Sequence, residues 1–355
     1  MITSTNPVRW AVAGFGSGGR IFHAPLVDAA PSMQLVAVVT SNSERRRLVR
    51  QSYPDASVVA NLAELAAMGV QGVTISTPSG THAALAATAL DLGLAVVVDK
   101  PFALDEASAA GLVELALLRR GVLIPFQNRR WDSDFRTIEK LIDQGVLGRV
   151  FRFASRIDRF RPITSGWSAT GSAAEGGGAL HDLGPHLVDQ ALQLFGPVAT
   201  VYAELSTFRS GSGADDDFQL SLRHVGGVLS TLSAGKASAA QGPRFLVNGS
   251  TSGFVIDGFD VQESQLKAGY SPRDLGETWG VEPPSAYGRL VRTDGTTIVV
   301  PSERGRWDSF YPAVAATVRD QAPAPVQGAE AILTARVLDA ARQSALSGSV
   351  VKVQQ

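Results

Sequence analysis

Asp182 and His186 are the side chains of this sequence best suited to moving a proton. They lie four residues apart, after three consecutive glycines and at the start of an apolar helical stretch, so both are expected to project from one helix face. An imidazole that titrates near neutral pH, beside a carboxylate, can take a proton from a hydroxyl group. A local helix cap and half of a metal site remain as alternatives. No second histidine or carboxylate group has ligand spacing, so the sequence predicts proton transfer without a metal.

Lys100 is a third residue placed for chemistry. It follows the apolar run 95–98 and precedes Pro101, which is the pattern of a strand end held by stiff backbone. Ligands of parallel α/β sheets bind at such strand ends. We therefore expect an ammonium fixed close to a bound ligand, with a solvated loop lysine as the alternative.

A glycine loop near the start of the chain indicates which kind of ligand would bind beside these groups. Gly14, Gly16 and Gly19 have the GxGxxG spacing and follow the strand-like run 10–13. These glycines allow a tight strand-to-helix turn, close approach of a pyrophosphate and close helix packing, with the phosphates at the helix N-terminus. The sequence predicts a dinucleotide site here, and a simple glycine-rich turn is the alternative.

The end of the next strand, 35–39, indicates which dinucleotide binds. An NAD site usually has an acidic residue there to accept the ribose 2′-hydroxyl, whereas this chain has Ser41 and Asn42, followed by arginines at 45–47. Hydroxyl and guanidinium groups favour the 2′-phosphate of NADP. Alternatively, Ser41 caps the following helix together with Glu44, and the arginines form a solvated face.

The order of apolar runs predicts two domains. Strands and helices alternate through residues 1–127, which is typical of a doubly wound parallel sheet that binds a dinucleotide. Later runs alternate with period two from residue 150 onward, which predicts a large, mainly antiparallel sheet in an α/β domain over residues 128–355. The segment 258–287 has no clear periodicity and is expected to be a structured excursion.

The composition and net charge argue against some classes of binding partner. The 355 residues carry a formal net charge of −1 and no basic segment with interleaved aromatics, which argues against nucleic acid and anionic membranes as partners. The absence of cysteine rules out disulfides, thiolate zinc sites and a thiol nucleophile. The N-terminal residues lack a signal-peptide pattern, and no apolar run is long enough for a membrane span. The expectation is a cytoplasmic protein with a small-molecule substrate.

Three motifs together resemble the Gfo/Idh/MocA family of NAD(P)-dependent sugar and cyclitol oxidoreductases. They are the GFGSGG run from Gly14, Asp99-Lys100-Pro101 in place of the usual Glu-Lys-Pro, and the GGGALHDLGPH run ending at His186. The segments 126–135, 158–162 and 265–269 are most similar to the NADP-dependent scyllo-inositol dehydrogenase branch. The likeness covers nearly the whole chain.

The resemblance implies an N-terminal Rossmann domain, a C-terminal α/β domain with an open sheet, and a homodimer or homotetramer. It implies that Lys100, Asp182 and His186 are catalytic and, with Arg156 and Asp158, bind the substrate. Asp99, shorter than the family's glutamate, is expected to alter how Lys100 is oriented. The implied cofactor contacts are Gly14, Phe15, Gly16, Ser17, Gly19, Ser41, Asn42, Arg45, Arg46, Thr77, Pro78, His82, Lys100, Pro101, Asn128 and Trp167.

The implied reaction is reversible oxidation of a secondary hydroxyl of a cyclitol or pyranose to a ketone, with NADP(H) preferred and NAD(H) possible. His186 would take the hydroxyl proton, Lys100 would stabilise charge on the same oxygen, and Asp182 would orient the substrate and set the state of the histidine. Two alternatives stay open: transient oxidation that enables bond cleavage, and a sugar sensor that binds NADP without turnover.

Overall fold

The computed structural model describes residues 6–164, 166 and 171–354. Its first layer is a parallel sheet built from the apolar runs of the N-terminal third of the chain. Six strands of the described chain form it in the order β3-β2-β1-β4-β5-β6, which is the doubly wound arrangement that the sequence predicts. The strands are β1 Val8–Ala13, β2 Met33–Val39, β3 Ser57–Val59, β4 Gly72–Ile75, β5 Ala95–Val98 and β6 Leu123–Pro125.

Short helices connect these strands, and their starts follow from local capping. Asp105 caps the helix that begins at Glu106, because its carboxylate accepts a hydrogen bond from the backbone N–H of Ser108. The predicted cap at Ser41 is wrong, since Asn42 accepts the bond from the Arg45 N–H instead. A π-helical turn, Gly18–His23, precedes the first helix. The helices are α1 Ala24–Ala29, α2 Ser43–Ser52, α3 Ala63–Ala66, α4 His82–Asp91 and α5 Glu106–Arg119.

The second sheet is mostly antiparallel, as predicted, with one parallel pair between β7 and β10 among the described strands. Its strand order is β14-β13-β12-β11-β7-β10-β9-β8-β15. The strands are β7 Val150–Asp158, β8 Val198–Ser206, β9 Asp217–His224, β10 Leu229–Gly235, β11 Phe245–Gly249, β12 Ser252–Ile256, β13 Gly288–Arg292, β14 Thr297–Val300 and β15 Val351–Lys352. The sequence does not predict β3, β13 or β15, of which β3 and β15 are three and two residues long.

Within the part of the chain that the structure describes, helices cover one face of the second sheet. The core on that face joins the sheet to α6 Ser133–Asp143, α7 Ala179–Phe195 and α11 Gly328–Ser347. Side chains that alternate with the core residues, including Tyr202, Leu246 and Val291, stay exposed on the other face. We call this uncovered side the open face.

Three further helices return the chain to the first sheet. They are α8 Val261–Lys267, α9 Pro272–Leu275 and α10 Phe310–Asp320. Leu266 and Trp279 of the predicted excursion, and Phe310 and Tyr311 of α10, lie in the same core as Trp10 of β1. The boundary predicted at residue 127 separates the two sheets, but α10 lies after that boundary and completes the core of the first one. No helix in the described part of the chain has the length and apolarity to cross a membrane.

Candidate active site

The predicted cofactor residues meet at one edge of the first sheet, where its parallel strands end. The backbone N–H of Gly14, just after β1, donates to the carbonyl of Val39 at the end of β2. Ser41, Asn42 and the arginines follow β2, Thr77 and Pro78 follow β4, Lys100 and Pro101 follow β5, and Asn128 follows β6. The structure therefore brings together groups that are far apart in the sequence.

The glycine loop has the shape of a phosphate cradle. Gly14 has a φ of +93°, and a Cβ there would lie 2.3 Å from the carbonyl oxygen of Ser76. A Cβ at Gly19 would lie 2.0 Å from the carbonyl oxygen of Gly14. At Gly16, by contrast, the space where a Cβ would stand is open except for the guanidinium of Arg45, at 3.9 Å. A positive group above free backbone fits the phosphate of a dinucleotide.

The side chains of some predicted cofactor contacts do not face the cofactor site. The ring of Phe15 is buried against Tyr53, so only its backbone faces the loop. His82 is also buried, and its ring nitrogens lie 2.8 Å from the carbonyl oxygens of Thr77 and Pro101. Its side chain ties two loops together rather than facing a ligand. Trp167 lies outside the described residues.

Lys100 is held by the backbone, as the stiff strand end predicts. Its N–H donates to Asp99 Oδ1 at 2.8 Å, and Asp99 Oδ2 accepts from Ser76 Oγ at 2.8 Å. His23 Nε2 lies 3.2 Å from the same carboxylate oxygen. Burial would raise the pKa of Asp99, but His23, His82 and Lys100 outweigh burial and hold it well below its usual range. Asp99 thus anchors the main chain of Lys100 and leaves the ammonium free for Asp182.

A buried chain of polar groups supports this anchor from behind. The other ring nitrogen of His23, Nδ1, lies 2.8 Å from the hydroxyl of Tyr311, which lies 2.8 Å from Thr74 Oγ1. The indole N–H of Trp10 donates to the same threonine oxygen. Sequence reasoning missed His23 and Tyr311, because nothing in the local pattern around either residue marks a contact between positions 288 residues apart.

Asp182 lies between two ammonium groups. Lys100 Nζ donates to Asp182 Oδ1 at 2.6 Å and to the carbonyl oxygen of Asp182 at 2.7 Å. Lys236 Nζ, which the sequence analysis did not single out, donates to Asp182 Oδ2 at 3.1 Å. Burial alone would raise the pKa of Asp182, but Lys100 and Lys236 outweigh it and hold the pKa far below its usual range. The carboxylate is therefore charged at all ordinary pH values.

His186 lies one turn further along α7 and is 5% exposed. Its Nδ1 is buried and has no hydrogen-bond partner among the described residues. Burial, then the nearby charges of Arg129 and Lys100, lower the pKa of His186 well below its usual range. Asp182 opposes this shift and is outweighed. Asp182 thus acts on the pKa of His186 through its charge, while its carboxylate is bonded to the two lysines.

The start of α7 is fixed by a loop of the second sheet. Gly178 precedes the helix with a φ of +100°, and a Cβ there would lie 2.3 Å from Asp215 Oδ1. The carboxylate of Asp215 accepts a hydrogen bond from the Leu180 N–H at 2.7 Å, and its carbonyl accepts one from the Ala179 N–H. The glycine thus makes room for a capping carboxylate supplied by a distant loop, which orients the helix that carries Asp182.

Arg156 and Asp158 do not join this site. Ile157, between them, lies in the core on the helix-covered face of the second sheet, so strand alternation places its neighbours on the open face. The predicted substrate contacts at these two positions are not supported by the geometry. The described residues contain no group of three or more histidine or acidic side chains that could hold a metal ion.

Comparison with known proteins gives two family matches. Residues 8–124 match the oxidoreductase family with an NAD-binding Rossmann fold, and residues 135–255 match the GFO/IDH/MocA C-terminal domain. The first match lies on the parallel sheet, and the second lies on the mostly antiparallel sheet.

Two of the similar proteins cover nearly all of the chain, and a third covers about half of it. A scyllo-inositol 2-dehydrogenase (NADP(+)) of Bacillus subtilis is 34% identical over 343 residues, which is 95% of this chain and 93% of the relative. The solved structure of the Bacillus subtilis protein yvaA has a TM-score of 0.92 and 32% identity and covers 99% of both chains. A D-glucoside 3-dehydrogenase of Escherichia coli is 28% identical over 195 residues, which is 54% of this chain and 55% of the relative.

Proposed function

This chain belongs to the Gfo/Idh/MocA family of oxidoreductases, and we propose that it reversibly oxidises a secondary hydroxyl of a cyclitol or pyranose sugar to a ketone, with NADP as the preferred cofactor. The observation that carries this proposal is the contact between the Lys100 ammonium and the charged Asp182 carboxylate, beside a buried histidine, at the edge where the glycine loop lies. The bound nicotinamide would supply the hydride acceptor.

The lysine and the aspartate bind and polarise the reacting group in this proposal. Two of the three N–H groups of Lys100 bond to Asp182, which leaves one for the oxygen of the substrate. Negative charge that develops on that oxygen during oxidation is stabilised by the fixed ammonium. The carboxylate of Asp182 keeps lone pairs that can accept a hydrogen bond from a neighbouring hydroxyl.

His186 takes the hydroxyl proton in the direction of oxidation. Its lowered pKa keeps the ring neutral at neutral pH, as a base must be, and Nδ1 or Nε2 accepts the proton as the carbon–oxygen double bond forms. In the reverse direction the protonated ring returns that proton to the ketone oxygen. A lowered pKa makes the imidazolium a stronger acid, which favours this return.

A substrate panel tests the proposed function directly. Inositols, monosaccharides and 1,5-anhydro sugars are each supplied with NADP and with NAD, and the absorbance of the reduced nicotinamide is followed. Turnover of at least one polyol with NADP, with a ketone product identified by mass spectrometry, is expected. A product with a cleaved bond, or saturable binding without turnover across the panel, would contradict the proposed reaction.

We expect Arg45 and Arg46 to decide the cofactor preference. The double variant Arg45→Ala, Arg46→Ala should raise the KM for NADP about tenfold to a hundredfold, since a charge-assisted hydrogen bond contributes about 1.5–3 kcal/mol. The KM for NAD should change little, because NAD lacks the 2′-phosphate. Arg50→Ala, an exposed change in the last turn of the same helix, is the matched control. Equal efficiency of the wild-type protein with both cofactors would refute the preference.

We propose that the open face is buried against a second copy of the chain, in a homodimer or homotetramer. Leu246 is exposed on this face, within the middle of the second sheet. Leu246→Asp should shift the mass measured by light scattering at micromolar concentration from an oligomer to a monomer. Leu117→Asp, which changes an exposed leucine of α5, should leave the mass unchanged. A wild-type monomer would count against the proposal.

A further inference from the structure

Lys236 is a buried ammonium that the proposed reaction does not use. It directly follows β10, where its N–H donates to the carbonyl of Asp216 and its carbonyl accepts from the N–H of Arg161. These two bonds fix the main chain on both sides. The side chain is 11% exposed and reaches Asp182 from the side opposite Lys100, because each lysine bonds a different carboxylate oxygen.

The ammonium of Lys236 has hydrogen-bonding capacity to spare. Lysine carries three N–H donors and no acceptor, and Asp182 Oδ2 is the acceptor that Lys236 Nζ has among the described residues. Lys100 has one donor left after its two bonds to Asp182. Three cationic N–H groups therefore remain around a single carboxylate.

Arg159 adds a third cation with a weak partner. Its guanidinium is 22% exposed and lies 3.3 Å from both carboxylate oxygens of Glu263. Glu263 already bonds Arg129 at 2.7 Å and also bonds Lys267. Burial lowers the pKa of Arg159, and the charges of Arg129 and Arg161 lower it further, while the charges of Glu263 and then Asp182 oppose this shift. The N–H of Arg159 donates to the carbonyl of Gly235, the residue before Lys236, so Arg159 lies beside the lysine that bonds Asp182.

The charges around Asp182 do not balance. Lys100 and Lys236 bond one charged carboxylate that faces the site, and Arg159 lies near it. The other acidic groups are already engaged: Asp99 bonds Ser76 and the Lys100 N–H, Glu263 is shared among three cations, and Asp215 caps α7. Ammonium and guanidinium groups only donate hydrogen bonds. A neutral polyol offers hydroxyl groups that must also donate, so it leaves this surplus of positive charge uncompensated. A substrate with an anionic substituent compensates it.

We propose that Lys236, together with Arg159, binds an anionic substituent of the substrate, and that the preferred substrates are acidic sugars or cyclitols rather than neutral ones. The shared chemistry is an oxyanion, carried by either a carboxylate or a phosphate group. This inference rests on the proposed function, because it assumes that the reacting hydroxyl is held by Lys100 and Asp182. Lys236 acts here as a specificity-determining residue.

Matched sugars test the substrate class. D-glucose, D-glucuronate and D-glucose 6-phosphate, and likewise myo-inositol and its monophosphate, are compared by kcat/KM with NADP. At least one acidic compound is expected to exceed its neutral counterpart tenfold or more, and the carboxylate and phosphate members distinguish the two sources of the oxyanion. Lys236→Met and Lys236→Gln should lose that advantage, whereas Lys352→Met, which changes a lysine of β15, should keep it. Equal or higher efficiency with the neutral compounds would overturn the inference.

A binding measurement separates this inference from the proposed function. Calorimetric titration of the NADP-loaded protein with D-glucuronate, D-glucose 6-phosphate and D-glucose needs no turnover. Tighter binding of an acidic sugar that falls at least tenfold in both Lys236 variants supports the inference, even if no compound is oxidised and the proposed reaction fails. Equal binding of acidic and neutral sugars, or variants that bind acidic sugars as wild type does, would overturn it. Circular dichroism shows whether each variant is folded, and either folded variant decides the result.

Discussion

Replacing Lys100 with methionine is expected to lower kcat about a hundredfold to a thousandfold, the usual loss when a fixed donor to a developing oxyanion is removed. Methionine keeps most of the length of the lysine but has no N–H for the substrate oxygen. The affinity for NADP, measured by fluorescence titration, should change little. The fold should survive, because Lys236 still compensates the charge of Asp182 after Lys100 is removed.

The matched control for this variant is Lys352→Met, which removes an exposed lysine of β15. It should retain the wild-type kcat. The Lys100 variant should also raise the pH at which His186 titrates, because Lys100 is one of the charges that lower the pKa of that ring. Near-normal turnover in Lys100→Met would mean that Lys100 only holds Asp182 in place and takes no part in the reaction.

The second large effect is expected at His186. Oxidation requires the neutral ring, and burial with the charges of Arg129 and Lys100 lowers its pKa below the ordinary value of about 6.5. The rate of oxidation should therefore stay level as the pH falls through about 6.5 and decline only at pH values well below it. His186→Asn should remove that decline and lower kcat about a hundredfold to ten-thousandfold.

His224→Asn is the control for the His186 variant. His224 is a second buried histidine with a lowered pKa, caused by burial, but its ring bonds Gly196 at the far end of α7. This control should keep the wild-type pH profile of kcat/KM. If His186→Asn retains both the wild-type rate and the wild-type profile, the histidine is structural, and the proton leaves through Lys100 or water.

The fold was largely predictable because its strands are strong local signals. The apolar runs of the first sheet and the period-two runs of the second one appear at the expected places, and the GxGxxG spacing correctly predicts the turn after β1. The strands that were missed, such as Ser57–Val59 and Val351–Lys352, are two or three residues long. Such segments become strands through pairing with a neighbour, and their own sequence carries little signal.

The site was predictable only where motifs carry it. Lys100 and Asp182, which the family resemblance implies to be catalytic, lie in contact. Lys236, just after β10, reaches the same carboxylate, and no local pattern marks that approach. The position of Asp158 on the open face could have been predicted from the sequence. It shares a strand face with Arg152 and Arg156, opposite to the apolar side that includes Ile157, and α7 packs on the apolar side.

The contact of Tyr311 with Thr74 and His23 has a consequence for how the protein is made. A ribosome releases the strands of the first sheet long before it releases α10. Until that helix emerges, the threonine that accepts from the indole N–H of Trp10 lacks its contact with the hydroxyl of Tyr311. The apolar surface that Phe310 and Tyr311 cover also remains exposed to solvent. The nascent N-terminal half therefore exposes apolar surface during synthesis, and the core of the first sheet is complete only after α10 has emerged.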